Sequence, residues 1–363
     1  MGDLDWSLSV GVRFYPDPEF GNLGGPDVDA DGFHQWVTSP SGGGITDTDR
    51  ARLVVSKQYN PPFSSPRRAK PTAEIINDFF TELDDISKEN VKKGDGFGVG
   101  RRLYLYFSGH GYMPVATKHE IGLLMANATP SRLGNHVLGR AWADLLSGAG
   151  YFREVLLFMD CCRNEFTNAP LNVPFLNPGN DPRAAKKARL FYAYATKAKG
   201  LARERKAPDG EIHGVFTSTL LAGLWGGAAD PDTKEIRGSS LKAFLYQNMR
   251  QFLAPEDLNN SDIPKEPDVW PALSPEEDFS ICTAVPMKFP VCVTFPDSYA
   301  GRRINIRCNN KVKETTIADG TFWDAPLCCG VYSAEIVDGP EVAFEVKHPG
   351  FAPPEKPLDV RLG

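Results

Sequence analysis

At 363 residues, with 41% hydrophobic and 24% charged residues, the chain has apolar material for one large and one small domain. Its formal charge of −6 carries no nucleic-acid signature, and no apolar run approaches the roughly 20 residues of a membrane span. Seven cysteines, with Cys161-Cys162 and Cys328-Cys329 adjacent, make a poor disulfide framework, and the start lacks a basic region ahead of an apolar core, so a cytoplasmic protein is expected.

Ser7 to Val12 reads as the first strand. Asp17 to Asp31, rich in Gly, Pro and Asp, reads as a loop feeding a short helix at Phe33 to Val37. Inside that loop, Asp27-Val28-Asp29-Ala30-Asp31-Gly32 matches the opening half of an EF-hand. Thr38 stands at the twelfth position, where calcium needs a bidentate Glu, so an acidic turn is the plainer reading. Arg52 to Val55 makes a second strand, Pro61 to Pro66 a stiff connection, and Pro71 opens a helix through Phe79, Phe80 and Leu83 towards Ile86. The glycines of Lys93 to Gly100 precede a strand instead of following one, which makes them a turn and not a phosphate cradle.

Arg102 to Phe107 and Glu154 to Met159 are apolar runs, and Arg140 to Leu146 between them has helical spacing. This is a strand, helix, strand unit suited to a parallel sheet, in which reactive groups gather at the carboxyl ends of neighbouring strands. His110 and Cys162 fall at those ends. Successive strand residues point to opposite sides, so Cys161 and Cys162 cannot both face a cleft, whereas Asp160 and Cys162 share a face. The plain alternatives are a hydrogen-bonded turn imidazole for His110, a strand-end cap for Asp160, and Cys161 as the reactive thiol.

Asn164 to Arg189 is a long connection ending in Arg183, Lys186, Lys187 and Arg189. Leu190 to Ala195 is the next strand, Gly200 to Gly214 a charged loop with Arg203, Arg205 and Lys206, and Val215 to Leu224 and Ser240 to Phe252 are helices. Ala254 to Asp278 is rich in Pro, Asp and Glu and marks a boundary. Beyond it, alternating strands at Val291–Phe295, Arg303–Arg307, Val331–Ile336 and Val342–Val346 suggest a small immunoglobulin-like β-sandwich. The expected organisation is a large α/β domain at 1–255, a linker at 256–283 and an all-β domain at 284–363. Cys308, Cys328 and Cys329 lack zinc-site spacing and read as core thiols.

Tyr106-Phe107-Ser108-Gly109-His110-Gly111 and Asp160-Cys161-Cys162 resemble the Tyr-Ser-Gly-His-Gly and Asp-Ser-Cys stretches of the caspase-like cysteine peptidases (clan CD, peptidase C14), in their metacaspase and bacterial branch. A Cys followed by Arg, with a His about 50 residues upstream, fits the same family, although Asn164 stands where the motif has Gly. The resemblance covers residues 5 to about 255. It implies an α/β fold with a mainly parallel sheet flanked by helices, His110 as catalytic histidine, Cys162 as nucleophile, and the backbone N–H groups of Gly111 and Cys162 as oxyanion hole.

Leu23 to Ala30 is similar to the metacaspase stretch whose Asp lines the pocket for the residue before the cut bond, with Pro26 in place of the family's Cys. By that match Asp29, with Ser108 and Asp160, forms an acidic S1 pocket, and cleavage after Arg, then Lys, is expected. Arg183, Lys186, Lys187, Arg189, Arg203 and Arg205 then become candidate processing sites of a zymogen, cut by this enzyme or by an upstream activating protease. A solvated charge run is the plain reading. No cofactor or metal is implied beyond the calcium activation common among metacaspases, whose acids no motif places here. The expected partners are protein substrates with Arg or Lys at the cut site, and neither nucleic acid nor membrane. Two other readings are a catalytically silent protein-binding scaffold and an effector protease in bacterial antiviral signalling, the latter by family analogy alone.

Overall fold

Strands covered on both faces must be hydrophobic on both, and runs such as Leu103 to Phe107 and Val155 to Met159 are therefore continuous instead of alternating. The computed structural model describes residues 4–114, 120–166, 171–197, 200–261, 263–271, 274, 276–308, 311–317, 321–351 and 357–361. The chain begins β1 (Asp5–Gly11), α1 (Pro26–Thr38), β2 (Ala51–Val55), α2 (Ala73–Lys93), β3 (Gly100–Gly109), then three short strands, β4 (Gly111–Pro114), β5 (Gly122–Leu124) and β6 (His136–Leu138). It continues α3 (Gly139–Gly148), β7 (Phe152–Cys161), β8 (Asn164–Phe166), α4 (Pro182–Ala185), β9 (Arg189–Tyr194) and a hairpin of β10 (Glu204–Lys206) and β11 (Ile212–Gly214). Next come α5 (Val215–Ala222), β12 (Glu235–Arg237), α6 (Gly238–Asn248), β13 (Asp268–Trp270) and β14 (Ser280–Thr283).

The main sheet runs β13-β9-β7-β3-β1-β2, parallel throughout except for its antiparallel edge strand β13. Leu103, Leu105 and Phe107 of β3 share one core with Phe79 and Phe80 of α2 and Trp142 of α3. Tyr104 and Tyr106 share the other with Phe33 and Trp36 of α1, Phe216 of α5 and Leu241 of α6. The expected mainly parallel sheet flanked by helices is thus present. Strand order reverses at β1, which has β2 on one side and β3 on the other. The crevice outside the carboxyl ends of such strands is where open α/β sheets place their sites.

Two expectations need correction. The expected loop over Asp17 to Asp31 ends at Gly25, because α1 starts at Pro26, whose ring pre-sets helical φ, and Asp27 and Asp29 lie in the first turn, where the helix dipole favours carboxylates. A calcium loop has no place there, and Asp27 instead accepts the N–H groups of Ser56 and Lys57, both at 2.9 Å. A second sheet, β6-β5-β4-β8, has strands of only three or four residues, too short for periodicity to show in the sequence. Residues 256–283 are not a free linker: β13 pairs with β9, β14 pairs with β12, and Val269, Phe279 and Ile281 are buried in the α1 side of the core.

A polar cluster crosses this core. Arg102, 1% exposed, donates from Nε to Glu154 at 2.6 Å, from Nη1 to Tyr104 Oη at 2.8 Å, and to the carbonyls of Ser280 and Ile281. Glu154 also takes Arg189.

The C-terminal part consists of β15 (Lys288–Thr294), β16 (Arg303–Cys308), β17 (Lys311–Ile317), β18 (Phe322–Cys328), β19 (Gly330–Ile336), β20 (Glu341–Val346) and β21 (Leu358–Arg361). Sheets β18-β15-β21 and β17-β16-β19-β20 close on a core that includes Val293, Ile306, Trp323 and Ala334. Cys308 is buried in this core and Cys328 at the end of β18, whereas Cys329, also expected to be a core thiol, is only half-buried; all three are free. The segment after β20 returns to the first domain: His348 N donates to Asn248 Oδ1 at 2.8 Å, and the His348 ring stacks on Phe252. Among the described residues, no helix is long and apolar enough to cross a membrane.

Candidate active site

Strands β3 and β7 are paired in register, Ser108 beside Asp160 and Gly109 beside Cys161, so the chain leaves the sheet at two adjacent points. At the first, Gly109 has φ +154°, and a Cβ there would lie 2.7 Å from the Tyr15 hydroxyl oxygen and 2.9 Å from Leu123 Cδ1. Gly109→Ala is therefore expected to cost about 1–3 kcal/mol through backbone strain alone, read as a lower midpoint in urea; an unchanged midpoint would show that the turn can relax.

His110 follows, with its N–H donating to Tyr15 Oη at 3.0 Å and its Nε2 to the Gly21 carbonyl at 3.0 Å. The Tyr15 ring lies 4.7 Å from the imidazole and Phe20 6.0 Å. A ring nitrogen facing a carbonyl carries the proton, which leaves Nδ1 as the acceptor of the neutral ring. Burial pulls the imidazole pKa down.

At the second exit the two thiols part. Cys161 is fully buried with Sγ 3.8 Å from the Phe107 carbonyl, while Cys162 is half-buried with Sγ 3.9 Å from the Ala202 carbonyl. Burial pushes both thiols up, so the resting state is a neutral thiol beside a neutral imidazole. Gly111 lets β4 pass close to this strand, since a Cβ on it would lie 2.6 Å from both Cys161 Cβ and the Cys162 carbonyl oxygen.

Cys162 and His110 line one cavity of about 80 Å³ together with Ser108, Asp29, Asp160 and Glu204. Asp160 Oδ2 accepts from Thr217 N at 3.1 Å and Thr217 Oγ1 at 2.6 Å. Asp29 Oδ2 accepts from Gly214 N at 2.8 Å, and its Oδ1 lies 3.2 Å from His213 Nδ1. The Glu204 carboxylate accepts the N–H groups of Gly24 and Gly25 at 2.9 and 2.8 Å. Burial raises the carboxyl pKa values of Asp29 and Asp160, and in Asp160 the charge on Asp29 adds to it. Chemically, a thiol with an imidazole acceptor can attack a carbonyl, and three grouped carboxylates can hold a cation.

The structure thus brings together His110, Cys162, Ser108, Asp29 and Asp160, and sets Gly111 against the thiol strand. Glu204 and His213 join them unanticipated. The sequence hint was that Glu204 is the one acid inside the basic run Arg203 to Lys206. Arg203 also lines the cavity but reaches to Asp257 at 3.7 Å, and Arg205 donates to the Leu253 carbonyl at 2.9 Å. The other basic group is elsewhere: Arg189 pairs with Glu154 near the start of β7, and Arg183 and Lys187 line a separate surface cleft with it. Most of a strand, about 26 Å at ~3.3 Å per residue, separates Arg189 from Cys162, and Lys186 lies on the same short connection into β9.

Residues 8–264 match the family model described as Caspase domain. A probable protease of a Desulfuromonadales bacterium is 26% identical over 230 residues, covering 61% of this chain and 26% of that protein, so the chain spans about a quarter of that relative's length. Among solved structures, the chain is similar to caspase-1 from Spodoptera frugiperda at 13% identity and a TM-score of 0.42, covering 74% of this chain and 86% of that one. It is also similar to pro-sf-caspase-1 at 14% identity and a TM-score of 0.37, covering 75% and 89%.

Proposed function

The chain belongs to the caspase-domain family, and on that premise we propose that it is a cysteine endopeptidase that cuts protein chains after Arg and, less readily, after Lys. The observation that carries this reading is the grouping of Asp29, Asp160 and Glu204 around the cavity that Cys162 and His110 also line. A guanidinium entering it meets carboxylates, and its planar fork can engage two oxygens at once.

In the proposed reaction, His110 Nδ1 takes the thiol proton as Cys162 Sγ attacks the peptide carbonyl, and the N–H groups of Gly111 and Cys162 receive the developing oxyanion. The imidazolium is steadied by the Gly21 carbonyl at Nε2 and returns its proton to the leaving amine. Water then hydrolyses the thioester. Because the thiol is raised and the imidazole lowered at rest, proton transfer accompanies attack instead of preceding it.

Matched fluorogenic peptides ending in Arg, Lys or Asp test this. Arg is expected to be turned over best and Asp not at all, and Asp160→Asn is expected to lower kcat/KM for the Arg peptide by at least about tenfold. Preference for Asp would reject the acidic pocket. Since the carboxyls of Asp29 and Asp160 are raised, kcat/KM for the Arg peptide should also climb as the pH rises and these groups ionise, and Asp160→Asn should flatten that climb.

Control by processing belongs to the same reading. The hairpin β10–β11 lies along the cavity, with Ala202, Arg203, Glu204 and Gly214 among its lining residues. A cut after Arg203 or Arg205 would release it, while the connection from Arg183 to Arg189 lies most of a strand away from Cys162, so a cut there would have to come from a second protease molecule. Intact mass of the chain after incubation with active enzyme checks both; no cut in either segment would reject processing.

A further inference from the structure

One acid of the cavity, Asp29, is already paired from behind by a side chain of its own chain. His213 lies on β11, and its ring spans two carboxylates: Nδ1 is 3.2 Å from Asp29 Oδ1 and Nε2 is 3.0 Å from Asp209 Oδ2. Carboxylate oxygens only accept, so a ring that donates to both is the imidazolium. Phe351, from the segment after β20, faces the ring with centroids 6.4 Å apart and brings no charge. The second oxygen of Asp29 is taken by Gly214 N at 2.8 Å, so this acid is engaged on both sides by its own chain. Asp160 and Glu204 line the cavity with Asp29 and add to the negative field there, while two cations stand nearby: Arg203, which lines the cavity and reaches to Asp257, and Arg205, which is paired across the hairpin with His213 and lies 5.6 Å over the Phe351 ring.

We propose that His213 is a specificity-determining residue, the pocket's built-in counter-cation, with which the Arg or Lys side chain of a substrate competes for Asp29. The inference rests on reading Asp29, Asp160 and Glu204 as the substrate pocket. While His213 is charged, one of three acids is neutralised in place, and the entering guanidinium must displace or share that pairing. Once His213 is neutral, the cavity gains one unit of negative charge. The hydrogen bond that the ring donates to Asp29, with the charge of Asp29 and the pairing with Asp209, outweighs burial and raises His213 to about 9. The transition therefore falls in a range where Arg and Lys substrates are still charged. His213 is protonated below that pH and loses its proton above it, so affinity for a basic side chain rises as the pH passes through this value.

The test measures KM and kcat of the full chain between pH 6.5 and 10 with an Arg peptide and its neutral citrulline counterpart. For the unmodified protein, KM of the Arg peptide is expected to fall about fivefold through the alkaline range with kcat little changed, and the citrulline peptide should not follow. His213→Gln should show the lowered KM already at pH 7.5 and no further fall above pH 8. His213→Lys, which keeps a cation, should hold the high KM past pH 9. Asp209→Asn, at a side chain 57% exposed, should move the fall to lower pH by weakening the grip on the imidazolium.

A second readout needs no turnover: the C–H resonance of His213, identified by its loss in His213→Gln, should titrate at lower pH when agmatine, a guanidinium probe, is bound. His213→Gln and His213→Lys with identical pH profiles, or a His213 titration indifferent to agmatine, would overturn the inference while leaving Arg cleavage intact. An unmodified protein that prefers Asp over Arg overturns the pocket reading itself, and this inference with it.

Discussion

Alanine in place of Cys162 is expected to abolish turnover of an Arg-ended peptide, a fall of about 10⁴-fold or more in kcat, whereas alanine in place of Cys161 leaves most of it. The two thiols are chain neighbours with opposite fates. Cys161 is fully buried and belongs to the core on the α2 side, packed with residues such as Phe107 and Leu123. Its loss removes a small buried group, with an expected cost of about 1 kcal/mol in stability. Cys162 lines the cavity with His110 and the three acids. The check is kcat of both variants beside their urea midpoints. A Cys161→Ala protein that is folded but inactive, beside an active Cys162→Ala protein, would reverse the assignment and with it the side of β7 that faces substrate.

Arg102→Ala is expected to be the most damaging single change outside the site, at about 3–5 kcal/mol, against a total stability of about 5–15 kcal/mol for a typical domain. The guanidinium is 1% exposed and serves Glu154, Tyr104 Oη and the carbonyls of Ser280 and Ile281 at once. Removing it leaves the Glu154 carboxylate inside the protein with Arg189 as its remaining partner, and strips the carbonyls at β14 of their donor. Replacing Arg102 by Met and Glu154 by Leu together should lose less than Arg102→Ala, because two apolar groups leave no buried charge. Equilibrium unfolding in urea distinguishes the three proteins. Equal midpoints for the single variant and the unmodified chain would show that the cluster bears little of the stability.

The sheet was legible because its signal is local. Leu103 to Phe107 and Val155 to Met159 are apolar runs of strand length, and Arg140 to Leu146 carries the helical spacing that joins them. The candidate thiol and imidazole were legible for the same reason, each standing directly after such a run. What escaped depends on distance along the chain. Glu204 meets Gly24 and Gly25 across about 180 residues, and His213 meets Asp29 across 184, with no motif linking them. The acidic stretch at Asp27 looked like a turn because carboxylates and glycines also favour loops. Pro26 at the first helical position decided otherwise. Residues 256–283 misled by composition: their prolines and acids describe the surface path, while buried side chains such as Val269, Phe279 and Ile281 do the packing.

The antiparallel strand β13 is only three residues long, yet it covers the outer edge of β9. A shortened chain ending at residue 255, where composition suggests a natural stop, would leave the outer edge of Tyr192 to Tyr194 without a partner strand at the border of a strongly apolar sheet. Such a border is a template on which other chains can add strands. The fragment is therefore expected to form aggregates, whereas a cut placed after Thr283 retains the protecting strand, the whole of β14 and the carbonyls that receive Arg102.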